Sequence, residues 1–251
     1  MSTQTVAVVK QVTSIFRSIF HAYSNNESSY PVVAFNVSKP HPARPFTVFE
    51  PIVAYDRGCV PGFASFPANT PESMQRAFLA WNECDLVVQA LLPLLQAQLS
   101  ARIPGVRVDW LNVEIAPVSL FRKPDSDPDD PDPEHSSFLI TLPDDRGKFV
   151  ADFTIEQFGF GEDCWFLPFD DYMRRTRDCM YVIYDFEERK LDIEGAFVEE
   201  HIRGQQRMCK LARNMDWATV EKLAESDRAV VINEMACRAM SEERLQWRAY
   251  A

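Results

Sequence analysis

Acyl chemistry at a thiol needs a sulfur that can ionise, a base to take its proton and a group that fixes the base. The chain offers such a set in the order Cys84, His135, Asp152. Trp81-Asn82-Glu83-Cys84-Asp85-Leu86 reads as a helix start, with Asn82 as N-cap and Asp85 reaching back in the manner of a capping box. Cys84 then sits in the first helical turn, where free backbone N–H groups and the helix dipole favour a thiolate and can hold a developing oxyanion. The Asp85 carboxylate must turn away for that thiolate to form. His135 stands where an acidic loop meets a strand, which places it at the rim of a site. Asp152 interrupts an apolar strand, so it must face outward or find a partner, and the free nitrogen of an imidazole is such a partner.

A cysteine on a helix, a histidine on a strand and an aspartate on the adjoining strand resemble the papain-like cysteine fold, in particular its transglutaminase-like branch. Asp152-Phe153-Thr154-Ile155-Glu156-Gln157-Phe158-Gly159 is similar to the aspartate-bearing strand of that group. The likeness spans about residues 80–160. It implies nucleophilic Cys84, general base His135 and orienting Asp152, acting through a thioester on a small amide, ester or peptide-like substrate. Trp81, Gln157 and Trp165 flank these residues and are the candidates for holding that substrate.

Other readings use the same residues. Cys84 also fits the apolar stripe of an uninterrupted helix from Pro71, in line with Phe78, Trp81 and Val88. Cys164-Trp165 supplies a second candidate nucleophile, with an aromatic directly after the thiol. His135 and Asp152 alone suffice for an acid–base isomerase or cyclase. A non-catalytic binding module on the same scaffold would use the aromatic surface of Phe158, Phe160, Trp165, Phe166 and Phe169. His21, His41 and His201 have no metal-ligand spacing, glycine is scarce, and no phosphate-binding loop occurs, so neither metal nor any other cofactor is implied. The acidic pairs, Glu199-Glu200 and the run from Asp185 to Glu188, read as solvated faces.

The elements that must position these residues follow from periodicity. Val6, Val9, Val12, Ile15, Phe16 and Ile19 predict an amphipathic helix over 3–23. Residues 31–67 carry seven prolines between short apolar runs and predict extended edge strands or irregular wrapping rather than a central sheet. Thr70-Pro71-Glu72-Ser73 starts a helical stretch to about Ser100, with Pro93 as the point of kinking or division. Alternation of Val106, Val108 and Trp110 with Arg107 and Asp109 predicts a strand toward Ile115. Residues 138–142 and 149–153 flank a short loop and predict an antiparallel pair, with a third strand at Met180–Tyr184. The tail reads as helices over 196–214, 216–225 and 227–250.

The predicted whole is a single α+β domain over 1–251, a small antiparallel sheet packed against N-terminal and C-terminal helices, with a proline-rich wrapping segment near 31–70 and an acidic mobile loop near 122–134. Hydrophobic residues at 46% supply a core without disulfides, and the six scattered cysteines read as free thiols in a reducing, cytoplasmic setting. A net charge of -11 opposes nucleic-acid binding, and no apolar run is long enough for a membrane span or secretory signal. The partner expected is a small-molecule or peptide-like substrate; nothing in the sequence selects an oligomeric state.

Overall fold

The computed structural model describes residues 3–27, 31–40, 45–55, 66–123, 134–177, 180–194 and 199–250. Its helices and strands, in chain order, are α1 (Thr3–Asn26), β1 (Val32–Ser38), β2 (Thr47–Val53), α2 (Glu72–Leu79), α3 (Cys84–Ser100), β3 (Arg107–Glu114), β4 (Ser119–Phe121), β5 (Glu134–Thr141), β6 (Lys148–Ala151), β7 (Phe166–Pro168), α4 (Phe169–Arg175), β8 (Tyr181–Tyr184), α5 (Phe186–Glu194), α6 (Glu199–Arg213), α7 (Trp217–Val220) and α8 (Glu225–Tyr250). This is an α+β fold with helices from both ends of the chain packed on small sheets.

The larger sheet is antiparallel throughout, in the order β7-β6-β5-β3-β8. Its middle strand, β5, is buried at every position after Glu134, so both of its faces are covered. α3 packs on β3 and β5, and α1 lies against α3, α6 and α8. The Val9, Val12, Ile15, Phe16 and Ile19 stripe of α1 is fully enclosed, as are Leu91, Leu95 and Leu99 of α3 and Trp110, Leu111 and Phe138 of the sheet. Each such side chain contributes roughly 1.5–3 kcal/mol relative to exposure.

The proline-rich segment forms a second, three-stranded sheet in the order β1-β2-β4, where β2 pairs antiparallel with β1 and parallel with β4. The sequence predicts edge strands or irregular wrapping there, yet β2 lies in the middle. Pro51 is tolerated because it lies beyond the β4 ladder, which ends at Phe49. Residues 124–133, most of the acidic segment, lie outside the described residues.

Two further expectations are corrected. The helical stretch from Pro71 is neither continuous nor divided at Pro93; it breaks at 80–83, and the axes of α2 and α3 differ by 74°. Pro93 stays inside α3 on its exposed side. His135 is not at a rim: β5 begins before it, and the residue is 0% exposed.

Candidate active site

The break in the helix decides what Cys84 can do. Asn82 takes a left-handed conformation (φ 63°), and α3 restarts with Cys84 as its first residue and Glu83 in the N-cap position. Asn82 is therefore not the N-cap, and no side chain caps α3. The first-turn amides of α3 have no helical carbonyl to bond, and the half-buried Cys84 opens this positive end of the helix.

Asp85 does not reach back as a capping box. Its carboxylate accepts the Ser136 hydroxyl at 2.5 Å, and Ser136 in turn accepts from the Trp110 indole at 2.7 Å. Arg189 of α5 lies 3.8 Å from Asp85 and 3.8 Å from Glu134, with its guanidinium 4.8 Å from the Tyr184 ring centroid. The Asp85 charge next to Cys84 is thus engaged by Ser136 and partly offset by Arg189.

His135 is delivered by the central strand, in register with Val113 of β3. Asp152 comes directly after β6, where its backbone N–H donates to the Trp165 carbonyl at 2.7 Å. The two side chains meet at 2.6 Å, His135 Nε2 to Asp152 Oδ2, and both are fully buried. A second donor, the Tyr172 hydroxyl from α4, bonds the same Oδ2 at 2.7 Å, while Oδ1 accepts the Thr154 N–H at 3.1 Å. With the carboxylate accepting, Nε2 carries a hydrogen and Nδ1 is the nitrogen left to take up a proton. Nδ1 is buried without a formed hydrogen bond.

Burial acts most strongly on His135, against the charged ring, but the Asp152 charge and hydrogen bond, joined by the Cys84 thiol, outweigh it and hold His135 at about 10 against an ordinary 6.5. The constellation is a bonded His135–Asp152 pair, and no hydrogen bond joins the Cys84 sulfur to His135 Nδ1.

Gln157 is buried in a 3₁₀ turn, Ile155–Phe158, and its Oε1 accepts the Asn82 N–H at 3.1 Å. The turn ends at Gly159, left-handed at φ 78°, where a Cβ would meet the Ser119 backbone nitrogen at 2.9 Å. That close approach seats Phe158 edge-on against the His135 ring, 4.8 Å between centroids.

Trp81 packs on Phe78 and Phe121, half-buried next to the break. The Trp165 ring is turned to α1, under Arg17 at 5.1 Å. Cys164 stands apart from His135: it faces Asp163 and Arg175, and burial first, then Asp163, pushes its thiol up. Of the aromatic surface, Phe158 is buried, Phe166 stacks on Phe149, Phe169 meets Tyr181, and the half-buried Phe160 lines a pocket with Phe49 and Phe121.

No pattern in the sequence marks Tyr172, Ser136 or Arg189. A tyrosine in Phe-Asp-Asp-Tyr-Met-Arg-Arg has no local signal that it will lie beneath a carboxylate 20 residues away. Among the described residues no group of three or more His, Cys, Asp and Glu side chains is arranged to hold a metal ion. No family model, no curated protein and no solved structure matches the chain.

Proposed function

We propose that this protein is a cysteine-dependent acyltransferase or hydrolase of the papain-like, transglutaminase-like kind, acting on a small amide, ester or peptide-like substrate. The observation that carries the reading is the buried 2.6 Å His135–Asp152 pair, with a thiol at a helix N-terminus acting on the same imidazole.

The steps follow from the groups. His135, held at about 10, carries its second proton on Nδ1 near neutrality, so the reacting form is the Cys84 thiolate beside the imidazolium, and the sulfur adds to the substrate carbonyl carbon. Negative charge developing on the carbonyl oxygen is met by the free first-turn amides of α3. As the tetrahedral species collapses, His135 returns the proton to the leaving amine or alcohol, and a thioester on Cys84 remains. Water or an amine, deprotonated by His135, then attacks the thioester, and the thiol is regenerated. Asp152 fixes the ring and stabilises the imidazolium throughout. Asp85, held by Ser136 and Arg189, stays out of the thiolate's field.

A p-nitrophenyl ester tests this. A burst of nitrophenol stoichiometric with protein, with the acyl group found on the Cys84 peptide by mass, supports the proposal. A burst that persists in Cys84→Ser, or acyl transfer to Cys164, contradicts it.

A further inference from the structure

Asp152 Oδ2 receives two donors at once, His135 Nε2 at 2.6 Å and the Tyr172 hydroxyl at 2.7 Å. All three side chains are 0% exposed, so bulk solvent does not reach that oxygen. Tyr172 is anchored independently of the site: it lies in α4, which packs on β6 and β7, and the next turn is closed by Thr176, whose hydroxyl donates back to the Tyr172 carbonyl at 3.0 Å. Burial first, and the neighbouring carboxylate second, push the phenol well above its ordinary range, so it remains a donor across the working pH range. A fixed donor of this kind does two things. It locks the carboxylate plane against rotation, and it draws on the same lone pairs that hold the imidazole proton.

We propose that Tyr172 is a positioning residue for the Cys84 and His135 pair, acting through Asp152: it fixes the carboxylate that aims the ring and limits how tightly that carboxylate holds the ring proton. The inference rests on the reading of Cys84 and His135 as nucleophile and base. The titratable groups acting on the ring are Asp152, at the end of β6, and Cys84, on α3, with Tyr172 of α4 one bond further out. Glu134, Asp85 and Arg189 form their own cluster at the start of β5.

The test is the pH profile of Cys84 alkylation by iodoacetamide in the full chain and in Tyr172→Phe. Loss of the shared donor leaves Asp152 gripping His135 harder, so the upper transition of the profile moves to higher pH by about half a unit or more. The plateau rate falls severalfold as the carboxylate loosens. In Asp152→Asn the further Tyr172→Phe change adds nothing. An unmoved transition, or an additive effect in the double variant, overturns the inference while leaving the nucleophile and base assignment intact. A wild-type Cys84 that labels no faster than a denatured thiol overturns both. Should Tyr172→Phe not fold, the wild-type proton spectrum decides. A slowly exchanging Tyr172 hydroxyl with a cross-peak to the His135 ring N–H supports the inference, and a freely exchanging hydroxyl overturns it.

Discussion

The Asn82 amide donates to the Gln157 side-chain oxygen at 3.1 Å, tying the break that creates the α3 N-terminus to the turn that follows Asp152. Two candidate site segments far apart in sequence are thereby registered by one bond. Gln157→Met, which keeps volume and removes the acceptor, is expected to cost about 1 kcal/mol in urea unfolding and to slow Cys84 alkylation severalfold. An unchanged alkylation rate would show that the break holds without this bond.

Asn82 itself carries a left-handed backbone, which glycine adopts without strain and a β-branched residue does not. Asn82→Gly should therefore leave the melting midpoint within a degree or two of wild type, whereas Asn82→Val should lose about 1–3 kcal/mol. Equal stabilities for the two variants would contradict the left-handed turn.

The buried imidazole links stability to pH. His135 is raised in the folded state to about 10 from 6.5, so its contribution is fully present below pH 6.5 and is lost as pH rises through about 10. Denaturant midpoints should fall across that window, and Asp152→Asn should flatten the fall while costing about 3 kcal/mol near neutrality. A wild-type profile that is level from pH 6.5 to 10 would contradict the pairing.

Glu83, next to Cys84, has its carboxyl pushed up to about 7 by burial and then by Glu27, and its Oε2 has no hydrogen-bond partner. An acid raised in the folded state favours folding while protonated, so this contribution declines as pH climbs from the usual carboxylate range through about 7. Glu83→Gln is expected to gain about 1–2 kcal/mol at pH 8 and nothing at pH 4, read by urea titration at each pH.

Much of the scaffold was legible because burial and periodicity coincide. The Val106, Val108, Trp110 alternation became β3, and the paired apolar runs around residues 143–147 became β5 and β6, because each strand's own side chains declare its core face. The helix start at Cys84 was legible in residues 81–86, but the form of the break was not, because its cause is tertiary: a left-handed Asn82 held by Gln157, 75 residues on, in place of an Asn82 cap. Pro93 looked the stronger breaker but faces solvent, where its missing hydrogen bond is tolerated. His135 looked peripheral because only its C-terminal neighbours are apolar, whereas β5 runs through the middle of the sheet. β4, three residues long, pairs in parallel with a strand some 70 residues earlier, and no local pattern announces such a partner.

The most direct measurement is the rate of iodoacetamide labelling at Cys84, located by peptide mass, in native protein, in denatured protein and in His135→Gln. The account predicts one stoichiometric adduct at Cys84, formed at least tenfold faster than with denatured thiols near neutral pH, and loss of that excess when the imidazole is gone. Slow, uniform labelling of the free thiols, indifferent to the histidine, would contradict it.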